Sequence, residues 1–93
     1  MKNIPDNITR QHILRIIEDL NHGIVVVPPR QRSVKYCLEF NKMYYPPKYL
    51  VRMANVRANG QELWNFYGGP ETNDFCRSRG FTIVEHGRAP HSA

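Results

Sequence analysis

The sequence predicts an α+β fold: a single small domain with helices packed on a short antiparallel sheet. Three observations carry the prediction. Ile13, Leu14, Ile16, Ile17 and Leu20 recur at helical spacing. Val34, Tyr36, Leu38 and Phe40 alternate with Ser33, Lys35, Cys37 and Glu39, the period of a half-buried strand. Two later segments begin at a proline and end at a glycine, the asymmetry expected of helices.

Taken in order, Asn7 and Thr9 are good N-caps for a helix running to about Asn21, with Arg10, Arg15, Glu18 and Asp19 on its outer face and Gly23 ending it. Ile24 to Val27 is β-branched and stops at Pro28-Pro29, which suits a brief strand or a buried extended segment. A strand from Ser33 to Phe40 then turns at Asn41-Lys42, so that Met43 to Tyr45 pairs back as a hairpin. From Pro47 to about Ala58 the spacing predicts a helix that buries Leu50, Val51, Ala54 and Ala58 and leaves Lys48, Arg52 and Asn55 on a neighbouring stripe, with Arg57 off to the side. Gln61 to Tyr67 reads as an aromatic loop packed on the core. Gly68-Gly69-Pro70 opens another helix to Arg79, Gly80 ends it, and Phe81 to Val84 is a final strand. The domain is expected to span 1–86, with 87–93 a tail or linker.

The 93 residues, 41% of them apolar, are enough for one modest core. A net charge of +5 favours a polyanionic partner. Cys37 and Cys76 lack the CxxC spacing of a structural zinc site, and the four histidines are scattered, so neither a metal nor any other cofactor is expected. The start of the chain has no apolar signal core, and no run approaches the roughly 20 apolar residues of a membrane span, which points to a cytoplasmic, nucleoid-associated protein.

Three constellations stand out. Arg30, Arg32, Ser33 and Lys35 crowd a loop-to-strand junction, where arginine forks suit phosphate oxygens or a guanine edge; charges that protect an edge strand would look the same. Gly68-Gly69-Pro70-Glu71-Thr72-Asn73 offers backbone N–H groups at a helix entry, or a turn with ordinary capping in which Glu71 would repel a very close phosphate. Tyr45-Pro46-Pro47-Lys48-Tyr49 is a stiff aromatic connector beside a cation, or a proline-terminated strand with its aromatics in the core; alternation puts Tyr44 and Tyr45 on opposite faces so that one reaches the surface. Ser33 and Ser78 have no adjacent histidine, no HNH-like cluster is present, and nothing near Cys37 would activate its thiolate, so the expectation is a binding module without catalytic residues.

Together these residues resemble a known family. Pro28-Pro29-Arg30-Gln31-Arg32-Ser33, Tyr36, Tyr45-Pro46-Pro47-Lys48, Ala54, Gly68-Gly69-Pro70-Glu71-Thr72-Asn73, Phe75 and Gly80-Phe81 look like the sulfur-binding domain of McrA-like HNH endonucleases, over about Ile13 to Val84. Those enzymes act in type IV restriction of phosphorothioate-modified DNA. The resemblance implies helices around a small sheet and a reader of double-stranded DNA in which sulfur replaces one non-bridging phosphate oxygen. Carried over, Tyr45 and Pro46 would form a shallow apolar sulfur cavity, with Arg32 beside it and Tyr49 on the rim. Arg30, Ser33, Lys35, Lys48, Arg52, Gly69, Thr72 and Asn73 would hold the flanking DNA. Tyr49 is bulky for its place, Cys76 stands where the family usually has an aliphatic residue, and no HNH motif follows Val84, so a nuclease domain or partner would have to be supplied elsewhere.

Two other readings use the same residues. One is a winged-helix-like regulator of unmodified DNA, with Lys48, Arg52 and Arg57 in the major groove. The other is an adaptor whose Trp64-Asn65-Phe66-Tyr67 patch docks a protein.

Overall fold

The computed structural model describes residues 3–32 and 35–85. Helix α1 (Arg10–Asn21) is followed by a single 3-10 turn at Pro29–Gln31, a hairpin of β1 (Tyr36–Phe40) and β2 (Met43–Tyr45), helices α2 (Pro47–Asn59) and α3 (Pro70–Ser78), and β3 (Thr82–Glu85). The sheet is antiparallel in the order β2-β1-β3, with Leu38 opposite both Tyr45 and Ile83. The α+β architecture and the order of elements are those the sequence predicts. Helix α1 packs on α2, α2 touches α3 and β1, and α3 leans on β3.

Local chemistry sets the boundaries. Thr9 caps α1: its hydroxyl accepts from the His12 N–H at 3.3 Å, while His12 Nδ1 accepts from the Thr9 N–H at 2.9 Å, a capping box with histidine in the usual glutamate place. Asn7 is not the cap; it exchanges two side-chain hydrogen bonds with Asn59, at 2.7 and 3.0 Å, and so ties the approach of α1 to the end of α2. The hairpin turn puts Asn41 at φ 52° and Lys42 at φ 64°, the left-handed pair that a type I′ turn demands.

Several expectations need correction. Ile24 to Val27 is neither strand nor buried segment: the Ile24 and Val25 N–H groups both reach the Asp19 carbonyl, at 2.9 and 3.4 Å, and Ile24 and Val26 are exposed. Two following prolines, with no N–H to donate, leave that segment no ladder to join. Strand β1 begins at Tyr36, and the predicted start at Ser33 and Val34 falls outside the described residues. Cys37 and Leu38 are both buried, so the centre of β1 is covered on both faces and the half-exposed pattern fails there. Asp19, expected on the outer face of α1, is buried and accepts from Arg57 Nη2 of α2 at 3.0 Å. The final strand sits one residue later than predicted.

The core is built from Ile8, Ile13, Ile16 and Ile17, from Leu38, and from Leu50, Val51 and Ala54, with Cys76 of α3 and Phe81, just before β3, closing it. Cys37 and Cys76 are both buried thiols. Burial pushes the Cys76 thiol up from 9.0 to about 12, against the opposing pull of Arg77 and Arg79, and burial also raises the Tyr49 phenol. Below pH 9.0 the Cys76 thiol is protonated in folded and unfolded chains alike and adds no pH dependence. Above that, the unfolded chain releases a proton that the native chain keeps, so native stability falls between pH 9.0 and about 12. Urea midpoints measured across this window are expected to drop with pH, and Cys76→Ala to flatten the drop; an unchanged slope in the variant would contradict the assignment to Cys76.

Candidate functional site

One cavity of about 610 Å³ lies where the ends of four segments converge. The 3-10 turn supplies Arg30, Gln31 and Arg32, and the entry to β1 supplies Lys35 and Tyr36. The β2–α2 junction supplies Pro46, Pro47 and Lys48, with Arg52 one turn on. Trp64, Gly68 and Gly69 come from the aromatic loop, and Thr72 and Asn73 from the first turn of α3.

Each wall has a local cause. Pro46 ends β2 and Pro47 starts α2, where a missing N–H costs nothing, so the two rings form a rigid lip. Lys48, on the same turn, reaches across so that its Nζ lies 5.3 Å from the centroid of Phe66. Gly69 holds φ 71° and ψ −137°, a conformation open to glycine alone, and this bends the loop directly into α3. No side chain caps α3, and Pro70 has no N–H, which leaves the Glu71 and Thr72 amides without an intrahelical acceptor at the edge of the cavity.

The electrostatics are one-sided. Arg30, Arg32, Lys35, Lys48 and Arg52 border the cavity, and among the described residues no Asp or Glu does. Glu71, placed by sequence where it would repel an anion, instead accepts from the Tyr67 and Asn3 backbone N–H groups, each at 3.1 Å. Thr72 gives its hydroxyl proton to the Tyr67 carbonyl at 2.5 Å. Asn73 is only 4% exposed and lines the cavity, and its backbone N–H donates to the Gly69 carbonyl at 2.8 Å. A second hollow of about 740 Å³ beside α1 includes Glu18 as well as Arg15 and Arg57, so its charge is mixed.

Arg52 is the keystone. It is 5% exposed, where a solvent-facing stripe was expected, because the loop after α2 folds back over it. Arg52 Nε donates to the Leu63 carbonyl at 3.0 Å, Nη1 donates to Gln31 Oε1 at 2.6 Å, and the guanidinium lies 4.0 Å from the centroid of Trp64. Asn55, expected on the same open stripe, is likewise buried and donates to the Gln61 carbonyl at 2.9 Å. Burial lowers the Arg52 guanidinium from its ordinary value, with Glu62 opposing.

Nine residues singled out from sequence therefore border one cavity: Arg30, Arg32, Lys35, Pro46, Lys48, Arg52, Gly69, Thr72 and Asn73. Ser33 lies outside the described residues. Tyr45 and Tyr49 are corrections: at 6% and 4% exposure they belong to the core, and neither lines the cavity. Tyr45 points inward from the edge strand β2, and its hydroxyl donates to Oδ1 of Asn21, the last residue of α1, at 2.7 Å. Tyr44, opposite Glu39, is the half-buried member of the pair. Gln31, Tyr36, Pro47, Trp64 and Gly68 are lining residues that were not picked as site residues. Trp64 carried a signal, as the one tryptophan of a basic chain in a loop, but that signal pointed equally to a protein partner.

Among the described residues no three His, Cys, Asp or Glu side chains gather as metal ligands would, and no helix is long and apolar enough to cross a membrane. No protein-family model, curated protein or solved structure matches the chain.

Proposed function

We propose that this domain reads phosphorothioate-modified double-stranded DNA through the cavity between Arg30 and Asn73, as a non-catalytic module of restriction or defence whose nuclease is supplied elsewhere. The observation that carries the reading is the convergence of nine residues named from the sequence on one cavity with five cations, a proline lip and, among the described residues, no carboxylate. Arg30, Arg32, Lys35 and Lys48 suit the DNA backbone, a contact indifferent to the modification and sensitive to salt. The uncapped amides of α3 and the Asn73 carboxamide suit phosphate oxygens.

Discrimination falls to the apolar part of the lining, Tyr36, Pro46 and Pro47, in place of Tyr45 and Tyr49. A phosphate oxygen pressed on carbon without a hydrogen bond loses hydration worth a few kcal/mol. Sulfur is larger, softer and less hydrated, so the same surface penalises it less and gains dispersion contact. Selectivity then comes largely from rejecting oxygen. The winged-helix-like reading loses two of its three groove-facing side chains, since Arg52 is buried and Arg57 is paired with Asp19 at 3.0 Å.

Anisotropy titrations of paired duplexes, identical but for one sulfur, test the reading. The sulfur duplex is expected to bind tighter, Pro46→Ala to shrink the preference, and Lys48→Ala to weaken both duplexes alike. Equal binding of the two duplexes by the unaltered protein would overturn the reading.

A further inference from the structure

Trp64 is the chain's one tryptophan, it is 59% exposed, and it stands at the rim of the cationic cavity. One face of the indole is covered by the Arg52 guanidinium, 4.0 Å from the ring centroid. Arg52 is itself fixed by Gln31 Oε1 at 2.6 Å and the Leu63 carbonyl at 3.0 Å, so the ring rests on an anchored support. At 59% exposure, most of the rest of the side chain faces solvent. A large apolar plane left in water, backed by a cation and set at the edge of a cavity, is a stacking surface in search of a second plane.

The cavity is also too large for the ligand that names it. A single substituent atom takes on the order of the ~30 Å³ of a water molecule, against about 610 Å³ here, a volume in the range that holds whole small molecules. Asn73 adds a carboxamide donor and acceptor at the cavity wall, the pair of groups that reads the edge of a base. The cationic lining disfavours a positively charged aromatic-cage ligand such as a methylated lysine and favours an anionic chain that carries planar rings.

We infer that the site takes a nucleobase displaced from the helix next to the modified linkage, with Trp64 as its stacking platform and Asn73 facing its edge. The inference rests on the DNA-reading function proposed above and extends it from a single atom to a nucleotide. In an intact duplex both faces of each base are already covered, so the base must leave the stack to reach Trp64, and a base that is unpaired beforehand makes that step cheaper.

The experiment uses three phosphorothioate duplexes that differ at the nucleotide flanking the linkage, on one side and then the other: paired, mismatched and abasic. Affinity is read together with the fluorescence of Trp64. On one side of the linkage the mismatched duplex is expected to bind about tenfold tighter than the paired one, the scale of a single base–aromatic stack, and to quench the indole. The abasic duplex has no ring to stack and should lose the gain and the quenching. Trp64→Ala should flatten the series, and Trp64→Phe should keep most of it. Equal affinity across the series, an abasic duplex that binds as tightly as the mismatch, or a gain that survives Trp64→Ala would each overturn the inference. The sulfur preference of the paired duplex, measured in the same plates, separates this failure from failure of the reading itself.

Discussion

Raising the salt from 50 to 200 mM is expected to cut duplex affinity roughly 10²-fold, with or without sulfur, because each phosphate neutralised adds about −0.9 to the slope of log affinity on log salt. Five cations border the cavity, but Arg52 spends its guanidinium on Gln31, Leu63 and Trp64. That leaves Arg30, Arg32, Lys35 and Lys48 to meet phosphates. Four contacts give a slope of about −3.6, and removing any one should lower it by roughly 1. The ratio of sulfur to oxygen affinity should change far less, since it arises from Tyr36, Pro46 and Pro47, which carry no charge. An affinity indifferent to salt would instead fit the adaptor, docking through Trp64 and its neighbours.

Arg52→Ala is expected to lower folding stability by about 2–4 kcal/mol, the scale of losing two charge-assisted hydrogen bonds in a partly buried setting and leaving their acceptors behind. For a domain whose whole stability is about 5–15 kcal/mol this is a severe loss. The cause is geometric. Arg52 joins the 3-10 turn through Gln31 and the 61–67 loop through both the Leu63 carbonyl and the Trp64 indole, so two cavity walls share one support on α2. Arg52→Lys keeps the charge but has neither the planar fork nor the reach to serve two acceptors while stacking, and should recover little. Denaturant midpoints for the two variants provide the check, and a loss under about 0.5 kcal/mol for Arg52→Ala would show that the walls stand without it.

The contrast between Arg52 and Pro46 shows where the sequence was readable. Helix α1, the hairpin turn and the proline-started helices follow from local rules: apolar spacing, an Asn that accepts positive φ, a ring without an N–H. Those rules place Pro46, Lys48 and Gly69 at element boundaries, and boundaries that meet in space make the cavity. Arg52 and Asn55 were misread because their burial comes from a loop about ten residues further on, whose backbone takes their hydrogen bonds. No periodicity within α2 records that event. Tyr45 and Tyr49 were misread for the opposite reason. A tyrosine beside a proline looks like a binding surface, yet an aromatic in a three-residue edge strand and another in the first turn of a helix are the cheapest large side chains to turn into a small core. Glu71 was read as a repelling charge because only the fold shows that it turns back to cap Tyr67 and Asn3.

The most direct test of the central claim is a titration of the ¹⁵N-labelled protein with a phosphorothioate duplex, followed by backbone amide shifts. Binding through the cavity predicts that the largest changes fall on Arg30 to Arg32, Lys48, Trp64 and Gly68 to Asn73, with the Trp64 indole N–H moving among them. Changes centred on α1 and the second hollow around Arg15, Glu18 and Arg57, with the cavity residues still, would contradict the account.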